Sequence, residues 1–305
     1  MSIPESVAVI GAGAAGLYAG ARLKAQGLSV RLFDKSRAIG GRLATRRHDD
    51  QRWNHGAPHA DGVINRFPEL AQRLIEAGAI DATQDRLGHP DGMRFLFSSL
   101  ADELSLELGE AVSSLEVVDD GLRVPGHRPV DAVLLAVPAP QAVALLEASR
   151  IPVPAALQAV TFRPRWTLVL ETAEPVPELE RVDDSVVRSA ELQTIGQPEQ
   201  RAWVVHATDA WSLAHLEEAK DAAASALHAH LEAVLGRELA TTYCRAHRWR
   251  YALTDQPLGV PCLWDGRIGL CGDWCLGPTV GDALASAEAL VNTLTGALTG
   301  RRRPS

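Results

Sequence analysis

Residues 6–35, SVAVIGAGAAGLYAGARLKAQGLSVRLFDK, constrain the fold more than any other part of this chain. Residues 7–10 are wholly apolar, the composition of a parallel strand buried on both faces. Gly11, Gly13 and Gly16 follow in G-x-G-x-x-G spacing, residues 14–26 have helical composition, and Gly27 is a natural helix stop. Residues 30–33 read as the next strand, which runs into Asp34. A strand, a glycine turn, a helix and a second strand in this order predict a βαβ unit in a doubly wound sheet.

The same order predicts a dinucleotide site. Gly11 permits the tight turn, Gly13 lets the backbone approach a pyrophosphate, and Gly16 lets helix and strand pack closely. The first helical residues, Ala14 and Ala15, bring free N–H groups and the positive end of the helix dipole to the phosphates. Asp34, with Lys35 beside it, stands eighteen residues past Gly16, where a carboxylate accepts ribose hydroxyls. An acid there favours FAD or NAD over a 2′-phosphate. The next stretch, SRAIGGR at residues 36–42, adds a second glycine turn that a simple NAD domain does not need. It resembles flavoproteins of the amine oxidase and phytoene desaturase superfamily, in which the chain returns here across the FAD pyrophosphate. By that resemblance Gly40 and Gly41 allow close approach and Arg42 pairs with phosphate charge; the alternative for Arg42 is an ordinary surface arginine.

Later segments can complete such a domain. Residues 106–111 read as a short strand. Val112 follows, where the superfamily lays a valine backbone on the adenine; a plain strand residue is the other reading. Asp119-Asp120-Gly121 marks a hairpin, and residues 131–138, DAVLLAVP, a buried strand ending at a proline. Residues 267–274, RIGLCGDW, carry an apolar run into Gly272-Asp273, and a helical stretch follows at 283–299. A glycine–aspartate pair there suits the ribityl chain and the polar edge of a flavin, with Asp273 as acceptor; a turn or helix cap is its other reading.

Composition removes several classes of function. The formal charge of −8 argues against nucleic acid, whose binders depend on basic patches; the one basic run is Arg301-Arg302-Arg303, in a tail (301–305) expected to be disordered. Four cysteines without a CxxC pair argue against a zinc ribbon or a disulfide framework, and fit reduced thiols in the cytoplasm. The longest apolar run, residues 132–148, is interrupted by Pro138, Pro140, Gln141 and Glu147 and is too short to span a bilayer. No basic n-region precedes the apolar start, so neither a signal peptide nor a membrane segment is expected.

Residues 47–61, RHDDQRWNHGAPHAD, pose a metal question, because His55 and His59 have the i,i+4 spacing of a helical zinc pair. Gly56 and Pro58 lie between them and oppose that helix, so no metal is expected. The segment follows the Gly-Gly-Arg turn instead, which would bring Gly56 and Ala57 against a flavin and make His59 a pocket candidate, or else a loop histidine. Residues 151–255 alternate short β-like runs, such as 166–170 and 202–207, with one packing helix predicted over 212–236 from Leu213, Leu216, Ala223, Leu227, Leu231 and Leu235. His206 ends one of those runs and reads as a pocket residue or a hydrogen-bonded core histidine. Most tryptophans should be core; Trp249 and Trp274 are the candidates for a pocket wall.

GAGAAGLYAGARL, LFDKSRAIGGRLATRR, HGA, WVVHATDAWSLAHLE, HRWRYA and GDWCLGPTV occur in the order seen in renalase-like flavoproteins, and the bacterial branch looks most similar. The resemblance covers most of the chain. It implies an α/β fold of p-hydroxybenzoate hydroxylase or amine oxidase-like architecture: a Rossmann-like FAD-binding domain assembled from residues 1–65, 95–150 and 256–300, and a smaller α+β substrate domain from 66–94 and 151–255. It implies an oxidase that takes hydride from 2- or 6-dihydro isomers of NAD(P)H onto flavin N5, with O2 as electron acceptor and H2O2 as product. Hydride transfer needs no obligatory acid–base residue, and the flavin carries the redox chemistry. An amine oxidase is the rival, but those enzymes commonly place a lysine near N5, and Lys24, Lys35 and Lys220 look poorly placed for it. A flavin-binding protein without turnover is the alternative from another class. Two segments depart from the family: HGAPHA stands where relatives often read HGAQYF, and Val280-Gly281-Asp282-Ala283 where the family has V-E-G-A, with Val280 the matching cofactor-side position.

Overall fold

The computed structural model describes residues 4–81, 85–119, 121–193 and 201–299; Asp120 and the tail 301–305 lie outside them. Ten strands build the two principal sheets: β1 (Ser6–Ile10), β2 (Ser29–Asp34), β3 (Ser105–Leu108), β4 (Ala132–Leu135), β5 (Thr161–Thr172), β6 (Val187–Gln193), β7 (Ala202–Ala207), β8 (Thr241–Gln256), β9 (Leu263–Trp264) and β10 (Ile268–Leu270). The helices that cover them are α1 (Ala14–Ala25), α2 (Ala139–Ala148), α3 (Asp209–Ala214), α4 (Lys220–Leu235) and α5 (Val280–Thr299).

The first sheet has the order β9-β10-β4-β1-β2-β3 and is parallel except for the edge strand β9. Its central strands, residues 7–10 of β1 and all of β4, are apolar throughout because both faces are buried. Val7, Val9, Leu32 and Leu134 enter one core with α1 and α5, whereas Ala8, Ile10, Phe33, Val133 and Leu135 enter a second core with α2. This is the parallel Rossmann-like sheet of a mixed α/β fold. β3 stops at Leu108, short of the predicted end at 111, because Gly109 turns the chain at φ 79°. The hairpin around residues 119–121 forms between Glu116–Val118 and Gly121–Arg123.

The second sheet is antiparallel, in the order β6-β7-β5-β8. β5 extends well beyond the predicted 166–170 and runs through Pro164, which sits where the pairing register with β8 shifts between Arg163 and Arg165. A proline has no N–H for the ladder, so such an irregularity is where a strand can hold one. One face of the sheet, with Trp166, Leu168, Leu170, Trp203 and Val205, is covered by Ala223, Leu227 and Leu231 of α4. The other face carries Thr167, Val169, Val204 and His206 and turns toward Trp53. The single helix expected over 212–236 is two. Thr208 caps α3 by accepting the Trp211 N–H, the His215 ring stacks on Trp211 at 4.0 Å, and the Trp166 indole donates to the His215 carbonyl. These local contacts satisfy the end of α3 before a longer helix can propagate.

Leu213 and Leu227 share the apolar spacing that suggested one helix, yet Leu213 is 63% exposed and Leu227 fully buried. Leu227→Ala should cost about 2–5 kcal/mol and Leu213→Ala no more than about 0.5 kcal/mol, read as shifts in the urea midpoint. Equal costs would contradict the division into two helices.

Candidate active site

The first glycine turn leaves open space where a ligand would need it. Gly11, at φ 111°, donates its N–H to the Phe33 carbonyl at 2.8 Å, and a Cβ on Gly16 would run into the Gly11 carbonyl. Gly13 differs: a Cβ there would meet nothing within 4 Å. It is the N-cap of α1, no side chain caps the helix, and its first turn contains no acid. The N–H groups at Ala14 and Ala15 therefore have no side-chain acceptor, which fits an anionic ligand. The second turn is laid on the first. Gly40 N–H donates to the Ala12 carbonyl at 2.8 Å, and a Cβ on Gly41 would lie 3.3 Å from Gly13 Cα.

Asp34 joins the two turns. One carboxylate oxygen accepts the Ala12 N–H and the other the Ser36 N–H, both at 2.7 Å. Each oxygen keeps a lone pair, so a ribose would share the carboxylate with the backbone. Lys35 extends to Gln141 Oε1 at 3.3 Å, and Val112 lies in the loop beyond β3, half-buried against the second core.

Arg42 is engaged by protein. Its two terminal nitrogens meet the two oxygens of Asp273, Nη1 at 2.8 Å from Oδ2 and Nη2 against Oδ1. Nη1 also approaches the carbonyls of Ala252 and Tyr251, at 3.4 and 3.5 Å, and Thr254 Oγ1 donates to Asp273 Oδ2 at 3.0 Å. Asp273 is 4% exposed and the Arg42 side chain 33%. The Gly-Gly-Arg turn, the end of β8 and the Gly-Asp turn thus converge on one ion pair. Gly272 precedes it at φ 155° and donates to Ser286 Oγ at 2.9 Å. The HGA segment closes onto the same turn: Ala57 N–H donates to the Arg42 carbonyl at 2.8 Å, and a Cβ on Gly56 would collide with that carbonyl.

The outward face of the second sheet meets this turn with histidines. Thr167 of β5 is opposite His206 of β7 on one side and His247 of β8 on the other, so all three side chains share a face. His55, just after the strand Gln51–Asn54, packs against that row. Its ring lies 4.9 Å from His247 and 5.4 Å from Trp249, and its carbonyl accepts the Trp249 indole N–H at 2.8 Å. Thr167 Oγ1 is 3.2 Å from His206 Nδ1. Nδ1 of His55 and Nδ1 of His247 are buried without a protein partner. Burial holds all three rings uncharged. It pushes His55 down to about 3, helped by His247 and Arg46, His206 to about 4, helped by Arg165 and Arg188, and His247 to about 4, helped by Arg46 and Lys220.

Of the pocket residues expected from sequence, His206 and Trp249 are thus in one cluster and His59 is not. His59 Nε2 faces Asp61 Oδ1 at 3.3 Å, on the margin of a small sheet. Trp274 is buried in the second core, its indole donating to the Val137 carbonyl at 3.0 Å. His55 and His247, which join that cluster, are not among the residues expected there from sequence. The alternation His247, Trp249 along one long strand was the available signal. The V-G-D-A departure has a local cause. A Cβ on Gly281 would strike the Gly62 carbonyl, while Asp282 exchanges hydrogen bonds with Thr279 at the start of α5 and pairs with Arg66 at 2.7 Å. Val280 opens α5, half-buried against the first core.

Two measurements test this arrangement. A histidine whose folded pKa lies below its ordinary 6.5 takes its proton only in the unfolded chain across that interval, so stability is lost as pH falls through it. The window runs from 6.5 down to about 4 for His206 and His247 and to about 3 for His55. Between pH 6 and 4.5, His206→Gln should flatten the decline of unfolding free energy by about 1.4 kcal/mol per pH unit relative to the parent; an unchanged slope would mean that the ring already charges in the folded protein. Asp273→Ala should cost about 1.5–3 kcal/mol in urea unfolding, because it strands a half-buried guanidinium.

Residues 9–74 match a protein family described as NAD(P)-binding Rossmann-like domain. Among solved structures, the chain resembles a putative protoporphyrinogen oxidase from Exiguobacterium sp. 255-15, with a TM-score of 0.76 and 14% identity over 96% of this chain and 99% of that one. It also resembles a double mutant of putrescine oxidase redesigned in its cofactor binding, with a TM-score of 0.66 and 14% identity over 95% of this chain and 99% of that one. At such identities the likeness establishes the fold: a Rossmann-like parallel sheet joined to an antiparallel sheet, in the arrangement of these two structures.

Proposed function

We propose that the protein is a FAD-dependent oxidase of renalase type, acting on a small reduced substrate, the 2- or 6-dihydro isomers of NAD(P)H, with O2 as acceptor. In this reading residues 1–65, 95–150 and 256–300 form the FAD domain and 66–94 and 151–255 the substrate domain. The observation that carries it is the pair of surfaces described above: a double glycine turn with an open, uncapped helix N-terminus, and a sheet face of uncharged histidines beside it. FAD, when bound, would supply the redox chemistry by accepting a hydride and returning two electrons to O2 as H2O2.

The chain's own residues have distinct tasks. Gly13, Ala14, Ala15 and Gly41 would take the pyrophosphate on backbone N–H groups, Gly40 would hold the second turn against the first through the Ala12 carbonyl, and Asp34 would take a ribose. Arg42 and Asp273 would hold the region of the ribityl chain as a pair, so that Arg42 positions Asp273 more than it binds phosphate. His55, His206, His247 and Trp249 would wall the substrate and keep water out. Rings held at about 3 to 4 are poor proton acceptors at neutral pH. They favour a substrate that gives up a hydride without first losing a proton to the protein.

One observation keeps a second reading, a flavin amine oxidase. Lys24 is bonded to the Glu103 carbonyl and Lys35 to Gln141, but Lys220, at the start of α4, is near enough to depress the pKa of His247. Anaerobic mixing of the FAD-loaded protein with candidate donors separates the readings. Bleaching by a 2- or 6-dihydronicotinamide isomer, followed by stoichiometric peroxide in air, is the expected result. Bleaching by primary or secondary amines instead would establish the second reading, and no bleaching by any donor would leave a flavin-binding protein without turnover. Failure to load FAD at all would end the proposal.

A further inference from the structure

We propose that Arg46 is the anion-recognising residue of the substrate pocket, and that the substrate presents an oxyanion, a carboxylate or a phosphate, to its guanidinium. This rests on the reading that the histidine-bearing sheet face is the substrate wall.

Arg46 lies four residues past the Gly-Gly-Arg turn, in the strand Thr45–His48, paired opposite Trp53. It is half-buried, and among the described residues it forms no ion pair. Among the described residues its guanidinium has one hydrogen bond, from Nη1 to Tyr243 Oη at 3.3 Å. Tyr243 stacks on Trp53 at 5.2 Å and belongs to the same alternating face of β8 as His247 and Trp249. Arg46 is also close enough to His55 and His247 to oppose their protonation. The guanidinium therefore sits between the aromatic floor and the histidine row, five donors on a planar fork with one weak acceptor.

Two carboxylates of the same sheet region are paired with other arginines. Glu171, beside Tyr243 in register, meets Arg201 at 3.8 Å and Gln51 at 3.5 Å. Asp209 takes Arg163 at 3.0 Å and Arg165 at 2.7 Å. A half-buried cation without a counter-ion is costly to maintain unless something supplies the charge. The second feature at the same place is His55, 5% exposed, whose Nδ1 has no protein partner. Together they offer a charge and a neutral polar atom to a bound molecule. A protonated amine finds the wrong sign of charge here.

The test uses one ring shape with four head groups: benzoate, phenyl phosphate, benzamide and protonated benzylamine. Binding to the FAD-loaded protein is measured by calorimetry and by the shift of the flavin absorption band, for the parent, Arg46→Gln and Arg46→Lys. At least one anion should bind the parent, lose about 10- to 100-fold in affinity in Arg46→Gln, and recover part of it in Arg46→Lys. Benzamide affinity should not change, which also reports that the glutamine variant remains folded. Loss of benzoate alone assigns a carboxylate, and loss of phenyl phosphate alone a phosphate. The proposal is overturned if neither anion depends on Arg46, if neither binds the parent at about 10 mM, or if benzylamine binds more tightly than both. Turnover is not the readout: anion binding through Arg46 in a protein that no dihydronicotinamide reduces would leave this inference standing and remove the renalase-type reading.

Discussion

The ion pair between Arg42 and Asp273 holds the candidate site together. It joins residues 231 positions apart in sequence. On one side it fixes the second glycine turn, whose Arg42 carbonyl in turn accepts Ala57 and leaves no room for a side chain at Gly56. On the other it fixes the Gly-Asp turn, and through Thr254 and the carbonyls of Tyr251 and Ala252 it fixes the end of β8. A planar guanidinium meeting a carboxylate on two bonds restrains orientation as well as distance. The position of the antiparallel sheet relative to the glycine turns follows from that restraint, and with it the place of Trp249 and His247.

Charge around the pocket is arranged by the same geometry. A long strand that alternates Tyr243, Arg245, His247 and Trp249 on one face brings aromatic and imidazole rings to a surface that Trp53 and His55 close from the other side. The rings stay neutral because they are buried and because their charged neighbours are arginines and a lysine. The outcome is a row of uncharged imidazole rings with guanidinium groups beside it.

The two departures from the renalase-like pattern have different physical origins. Gly281-Asp282 is accounted for by packing: the helix α5 begins against the Gly62 backbone, and Asp282 serves its N-terminus and Arg66. The HGAPHA segment divides its histidines. His55 turns inward to the row, whereas His59 is held outside by Asp61. The position of this segment after the Gly-Gly-Arg turn pointed to His59, but the side chain that joins the row is that of His55.

Much of the dinucleotide half was legible from residues 6–35 because its signals are local: apolar strands buried on both faces, glycines with distinct tasks in one turn, and an acid at a strand end. Only boundaries moved there, as where Gly109 ends β3 early. The antiparallel half was less legible. Pro164 hid the true length of β5, and a leucine spacing shared by exposed Leu213 and buried Leu227 concealed the break between α3 and α4. Local pattern was enough to establish a Rossmann-like sheet and a glycine cradle open to an anion, since those depend on neighbours within a few residues. Long-range pairing had to decide that Arg42 meets Asp273, that His55, His206 and His247 form one uncharged row, and that Arg46 has no carboxylate partner among the described residues. Each of those facts depends on strands far apart in sequence being brought into register, and no periodicity within a single segment encodes which side chain will lie across from which.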